Sequence, residues 1–304
     1  MSGKMRITIT GGFGYIGSSC ADYFQKKGHD VTIFARKIPE FLSDWSENFT
    51  VVLGDITGPK INFDSDIVVH CASVNETKDM SLEEFVRINC GGTKNAIESC
   101  IGSSVEKFIR ISTFHAYGNK AGVITEDTKP EPHTKYGISH MLSDKTCMDY
   151  SDRINVTVLR FSNVFGQPVH PNIDRWSLVV NNFCMQAVKT GKIVLNSKGN
   201  QRRDFVALSD AISSTELIVK SQTDSGEIFN VGSGHTMSIM EVASKVAKNY
   251  EVKYGNKIDL VIGDKDETCN DFIFSIDKIK RLGYKPGANM DSAIRQMFGM
   301  CELL

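Results

Sequence analysis

RITITGGFGYIGSS, residues Arg6–Ser19, is the stretch that decides the fold. Arg6–Thr10 is short and β-branched, as a buried strand should be. Gly11, Gly14 and Gly17 follow in G-x-x-G-x-x-G spacing, and an amphipathic pattern continues through Cys20, Tyr23 and Phe24 until Gly28 can cap it. Each glycine answers a steric demand: a sharp turn, close approach of a pyrophosphate to the backbone, and tight packing of helix on strand. A helix opening there presents unpaired N–H groups and its positive end to the anion. Strand, glycine turn and helix in that order predict a nicotinamide-dinucleotide-binding unit.

Working outward, further strands are expected at Asp30–Ala35, Thr50–Leu53, Ile67–Ala72, Lys107–Ser112 and Asn155–Phe161. They are nearly continuous in apolar character, like parallel strands buried on both faces. One intervening helix opens at a capping box, Ser81 with Glu84, and another runs from about Thr134 to Tyr150. The alternation predicts an α/β fold with a doubly wound parallel (Rossmann) sheet. Beyond Gly166 the texture changes. A helix is expected near Ser177–Thr190, ended by Gly191, then a strand pair of Lys192–Leu195 with Asp204–Leu208 and a helix capped by Ser209. Glu227–Val231 is read as returning to the main sheet. Ser238 and Glu241 open a helix to Tyr250, and a strand at Ile258–Ile262 and two short helices complete the chain. The expected division is a dinucleotide-binding domain over 1–165, to which 205–235 returns, and a smaller C-terminal substrate-binding lobe from 166–204 and 236–304.

The 304 residues carry a formal net charge of −1, which points away from nucleic acid or an anionic membrane surface as partner. No apolar run approaches the ~20 residues of a bilayer span, and a strand starting so near Met1 leaves no room for a signal peptide. The cysteines at 20, 71, 90, 100, 147, 184, 269 and 301 form no C-x-x-C pair. They read as reduced thiols of a cytoplasmic protein, with no metal site expected.

Several residues at strand ends are candidates for binding the cofactor. After Asp30–Ala35 the chain offers Arg36 and Lys37 where an acid would repel a 2′-phosphate, so the expected cofactor is NADP(H). Asp55, with Ile56, is placed for the adenine, and Cys71, Ala72 and Ser73 end the fourth strand beside the pyrophosphate. Gly11, Gly14, Tyr15 and Ile16 complete the expected cofactor set. Glu126 and Asp127 read as solvated, and Asp210 as a structural residue at a helix start.

TGGFGYIG at 10–17, GDI at 54–56, VVHCAS at 68–73, RINCGGT at 87–93, STFHAYG at 112–118, RFSNVFG at 160–166, RRDFVALSD at 202–210 and FNVGSG at 229–234 occur in an order and spacing that resemble the extended short-chain dehydrogenase/reductases acting on nucleotide sugars. The resemblance covers nearly the whole chain. It implies a catalytic Ser/Thr, Tyr and Lys, the last two in Y-x-x-x-K, and assigns Thr113 and Tyr136 to the first two. The lysine position holds His140, one helical turn from Tyr136 on the same face. A histidine can hold the nicotinamide ribose but carries only part of a charge near neutrality. Tyr136 would then stay a phenol, better suited to protonating a carbonyl than to deprotonating an alcohol. Family 4,6-dehydratases carry Asp–Glu after the Ser/Thr; here Phe114 and His115 stand there. His115 reads equally as a substrate contact or a structural histidine. By the same resemblance Asn163 and Arg203 hold the substrate diphosphate.

These residues together favour an NADPH-dependent reductase of the C4 ketone of a dTDP- or GDP-linked 4-keto-6-deoxyhexose, as in deoxysugar or surface-polysaccharide biosynthesis. The alternative is an NAD-dependent nucleotide-sugar 4-epimerase, against which both Arg36–Lys37 and His140 weigh. A noncatalytic NADP-sensing module is the third possibility. The resemblance also implies a homodimer, formed through Ser81–Ile101 and the tyrosine helix with Phe85, Ile88, Met141 and Cys147 on the pairing faces.

Overall fold

The computed structural model describes residues 3–119, 121–266 and 271–304. Cys269 lies outside the described residues. A seven-stranded parallel sheet forms the centre, in the order β11-β7-β5-β4-β1-β2-β3. Its strands are β1 (Arg6–Thr10), β2 (Asp30–Ala35), β3 (Thr50–Leu53), β4 (Ile67–His70), β5 (Lys107–Thr113), β7 (Asn155–Phe161) and β11 (Glu227–Val231). Strand β6 (Gly122–Ile124) lies outside this sheet and pairs with β14 (Phe272–Phe274). The sequence boundaries hold for β1, β2, β3, β7 and β11. β4 ends at His70, two residues early, and β5 runs one residue further to Thr113.

Helices cover both faces of the sheet. α1 (Tyr15–Lys26) and α7 (Leu208–Lys220) pack on one side, around a core that includes Ile7, Ile9, Phe24, Ile33 and Ile109. On the other side α3 (Leu82–Phe85) passes through a wide turn at Val86–Gly91 into α4 (Gly92–Cys100), which packs against α5 (Lys135–Asp149). Short α2 (Ser43–Ser46) precedes β3. The Ser81–Glu84 capping box forms as expected, and Thr134 caps α5 through its side chain. The doubly wound architecture places its switch point between β1 and β4, where strand order reverses and ligands of such sheets bind.

The smaller lobe differs from expectation in its pairing. β9 (Lys192–Leu195) and β10 (Arg202–Ala207) form but do not pair with each other. β9 runs parallel to β13 (Asp259–Ile262), while β10 lies between β8 (Asn163–Phe165) and β12 (Thr236–Ser238). Three-residue strands such as β8 and β12 are too short to show a period, so the true partners of β10 are invisible in the pattern. Ser209 does not cap α7; Ala207 occupies the cap with no side-chain bond, and Asp210 in the first turn accepts from Gly287 and Ala288 N–H at 3.2 and 3.1 Å. Ser238 and Glu241 do form their box, opening α8 (Ile239–Tyr254), which runs past Tyr250 to a left-handed Gly255. α6 (Val179–Thr190) ends at a left-handed Gly191. Short α9 (Asp277–Arg281) and the longer α10 (Met290–Glu302) follow, and α6, α8 and α10 bury a second core containing Phe183, Val246 and Phe298. Among the described residues no helix is long and apolar enough to cross a membrane.

Candidate active site

The glycine turn sits at the switch point. Gly11 has φ +65°, and a Cβ there would meet the Ala72 backbone at 2.9 Å. A Cβ on Gly17 would come within 2.3 Å of the Gly11 carbonyl oxygen. Gly14 is the α1 N-cap and no side chain caps the helix, so its first turn is open to an anion. A dinucleotide fits this cradle. Tyr15 contributes backbone rather than a free hydroxyl, because its O–H donates to the Gly166 carbonyl at 2.8 Å, and Ile16 is half-buried beside it.

Cys71, Ala72 and Ser73 leave β4 against this turn. His70, fully buried, anchors them: Thr93 Oγ1 donates to the Asn89 carbonyl and so accepts from His70 Nε2 at 3.1 Å. Thr10 Oγ1, 2.8 Å away, then donates to His70 Nδ1. Burial, with Arg110 nearby, lowers the His70 pKa to about 3, so it is neutral and structural. Asp55 is exposed and accepts from both the N–H and the hydroxyl of Thr57 at 2.8 Å, which holds its carboxyl below the ordinary range. Ile56 is buried beneath it.

Tyr136, His140 and Asp144 form one stripe along α5, four residues apart, facing the sheet. The Tyr136 and His140 rings are 4.4 Å apart between centroids, and His115 meets the Tyr136 ring edge-on at 5.8 Å. Thr113, at the end of β5, faces the Tyr136 hydroxyl, and its own Oγ1 accepts from His115 N–H at 3.3 Å. Burial raises Tyr136 to about 12, with Glu76 adding to the rise while Arg175, Thr113 and Arg110 oppose it. His115, half-buried, is lowered to about 4 by desolvation, with Arg203 adding to the fall and Glu76 opposing it. Phe114 packs on His115 at 4.2 Å and is buried. A cleft of about 440 Å³ opens beside Tyr136, lined by Glu76, Lys78, Asp79 and Lys135.

The residues expected to hold a diphosphate are less free. Asn163 Nδ2 donates to the Asp204 carbonyl at 2.8 Å, joining β8 to β10. Arg203 donates to Gln201 Oε1 at 3.0 Å and lies close enough to His115 to act on it electrostatically. Beyond them is a second cavity of about 640 Å³, lined by Phe205, His235, Lys280, Tyr284 and Lys285 among others. Glu126 is not simply solvated: its Oε1 accepts from Asn230 N–H at 2.8 Å, tying the loop before α5 to β11.

Arg110, Asp144 and Arg160 are the residues that sequence reasoning missed. Arg110 on β5 and Arg160 on β7 point to the same face, since Arg110 pairs with Val158 and Ser112 with Arg160. Both meet Asp144, and all three are buried. The available signal was an arginine inside each of two otherwise apolar strands, which is costly unless a carboxylate is near.

Residues 7–232 match the model of the NAD dependent epimerase/dehydratase family. A Bacillus subtilis protein described as an uncharacterized UDP-glucose epimerase is 25% identical, over 95% of this chain and 96% of that one. Mouse dTDP-D-glucose 4,6-dehydratase is 26% identical over 96% of this chain and 87% of its own. The crystal structure of UDP-glucuronic acid 4-epimerase from Bacillus cereus, in complex with UDP-glucuronic acid and NAD, superposes with a TM-score of 0.82 at 22% identity, covering 98% of this chain and 99% of that one.

These matches correct two expectations. The cofactor class is NAD, not NADP(H), and the activity class is epimerase/dehydratase, not a 4-keto-reductase. Charge alone does not make a phosphate site. Arg36 and Lys37 are exposed past the end of β2, and no hydrogen bond or ion pair among the described residues holds either where a 2′-phosphate would need it. The chain is a member of the NAD dependent epimerase/dehydratase family.

Proposed function

We propose that this protein is an NAD-dependent nucleotide-sugar 4-epimerase. The observation that carries this reading is the meeting of Tyr136 and Thr113 at the end of β5, with Phe114 and His115 at the two positions where elimination would need an acid and a base. NAD, when bound, supplies a hydride acceptor for the sugar C4 and a positive ring beside the tyrosine. Ionised beside that positive ring, Tyr136 would take the C4 hydroxyl proton as the C–H bond breaks, leaving a ketone, and return it when the carbon is reduced from the opposite face. Thr113 orients that oxygen. His140 holds the cofactor ribose; Gly11, Gly14, Tyr15 and Ile16 line the pyrophosphate, with Cys71, Ala72 and Ser73 opposite, and Asp55 and Ile56 flank the adenine. Arg203 and Asn163 stand on the diphosphate side, and the cavity at Lys280, Tyr284 and Lys285 suits the nucleotide, giving remote binding energy that positions the reacting carbon. The protein pairs as a homodimer through Ser81–Ile101 and α5, with half-buried Ile88 and Met141 at the seam; Phe85 and Cys147 are buried within one subunit and do not contribute.

The test supplies UDP-glucose, UDP-glucuronic acid and dTDP-glucose with catalytic NAD and follows the sugar C4 configuration by NMR. A C4-inverted product without net NADH is expected. A 4-keto-6-deoxy product would establish dehydration instead, and cofactor binding with no turnover on any of the three would favour a noncatalytic module.

A further inference from the structure

Arg110 takes no part in the steps above, yet it is the largest fully buried side chain, only 1% exposed. A guanidinium in that position is unfavourable unless it is paired. Its Nε lies 3.2 Å from Asp144 Oδ1 without hydrogen-bond alignment, while Arg160 Nε donates to Asp144 Oδ2 at 2.8 Å. Two guanidiniums therefore face one carboxylate, and the cluster keeps one positive charge in excess. Arg110 Nη1 donates to the Ile111 carbonyl at 3.1 Å, and Nη2 lies 3.1 Å from His140 Nδ1. A guanidinium has no acceptor, so Nη2 donates and Nδ1 accepts. In a neutral imidazole the ring proton must then sit on Nε2. That nitrogen is buried and finds no hydrogen-bond partner among the described residues.

We infer that Arg110 is a positioning residue for Tyr136 and His140: it fixes His140 as the Nε2–H tautomer and supplies, from the neighbouring strand, the permanent positive charge that a lysine would otherwise bring on the helix. Position 140 thus splits a lysine's two duties. His140 offers the donor, and Arg110 carries the charge. Burial, with Arg110, His115 and His70 around it, keeps the imidazole neutral well below the ordinary histidine range. Arg110 also acts on Tyr136, favouring its phenolate together with Arg175 and against Glu76. The role of His140 toward a cofactor rests on the proposed function; its tautomer and the charge beside it do not.

The experiment therefore reads tautomer and titration as well as turnover. Nitrogen-15 NMR of labelled histidine, with His140→Gln to assign the signal, should show the Nε2–H form in the free protein and in the NAD complex. Phenolate absorbance, with Tyr136→Phe as the blank, should show Tyr136 titrating at higher pH in Arg110→Met than in the parent. Arg110→Lys, which keeps a cation, should restore the parent titration. Turnover of the responsive sugar nucleotide at neutral pH should fall on the order of tenfold in Arg110→Met and recover in Arg110→Lys. An Nδ1–H tautomer in the parent, or identical Tyr136 titration in the Met and Lys variants, would overturn the inference. Where circular dichroism finds Arg110→Met unfolded, the parent tautomer decides: Nε2–H persisting into acid supports the role and Nδ1–H rejects it. Absence of turnover in the parent, alongside these titration shifts, would reject the proposed reaction and leave the positioning role standing.

Discussion

The glycine turn at 11–17 and the inward stripe of α5, which we propose to serve one site, are specified by different physics. At the turn the backbone is the constraint. Gly17 faces the Gly11 carbonyl so closely that any Cβ overlaps it, and Gly11 faces the Ala72 backbone. Residue type there follows from local geometry, so seven consecutive letters suffice to recognise it. Along α5 the chemistry is distributed. Tyr136, His140 and Asp144 are spaced by the helix, but what they do depends on Arg110 and Arg160 from strands β5 and β7. A histidine at the lysine position looks like a loss until the buried guanidinium behind it is seen.

Tyr136→Phe should produce the largest effect and separate the two regions most sharply. Removing the hydroxyl should lower turnover by roughly 10²–10⁴-fold, the range for a positioned acid–base group. NAD affinity and the melting temperature should stay close to the parent, because among the described residues that hydroxyl meets only Thr113. Steady-state kinetics with calorimetric NAD titration makes the measurement. Turnover within tenfold of the parent would remove Tyr136 from the reaction.

Gly17→Ala should do the opposite, striking cofactor binding and stability together. The overlap at 2.3 Å is with backbone, which cannot swing aside. Overpacking of this kind costs about 3 kcal/mol. Denaturant unfolding should report that loss, and NAD binding should weaken in the same variant. Unchanged stability would mean that the turn is looser than its close packing implies.

The same contrast governs how much the sequence discloses. The β1–turn–α1 unit and the main-sheet strands were legible because each is a short apolar run bounded by glycine or polar residues. The capping boxes at Ser81 and Ser238 were legible because both partners are three residues apart. β10 was misassigned because its partners, β8 and β12, are three residues long and distant in sequence. Arg36 and Lys37 misled because charge can be read from a sequence and placement cannot. Arg110 went unread for the converse reason: its strand was recognised by the apolar residues around it.

A third prediction concerns acid. His70 is held neutral by burial, with Arg110 nearby, its folded pKa lowered to about 3 against about 6.5 in the unfolded chain. The unfolded chain then binds the proton first as pH falls, so stability is full above pH ~6.5 and is lost progressively below it. His115, lowered to about 4, contributes in the same direction. His70 alone should account for about 3 kcal/mol between pH ~6.5 and ~4. Urea unfolding across that range should show the slope, and His70→Asn should flatten it. A parent whose stability is constant from pH ~7 to ~4 would show that these imidazoles protonate in place.

The smallest expected effect is the most informative about the cofactor. If Arg36 formed a 2′-phosphate site, Arg36→Ala would remove a charged hydrogen bond of about 1.5–3 kcal/mol, felt with NADP and not with NAD. Arg36 is instead exposed beyond β2, with its charge reaching Asp55 across solvent. Substitution at such a position changes stability or binding by about 0.5 kcal/mol or less, roughly a twofold change in affinity. Calorimetric titration should therefore find the parent binding NAD more tightly than NADP, with both affinities nearly unmoved in Arg36→Ala. A parent that prefers NADP, and loses that preference in the variant, would return the 2′-phosphate to this loop. It would also show that an exposed cation can be organised by the ligand it binds.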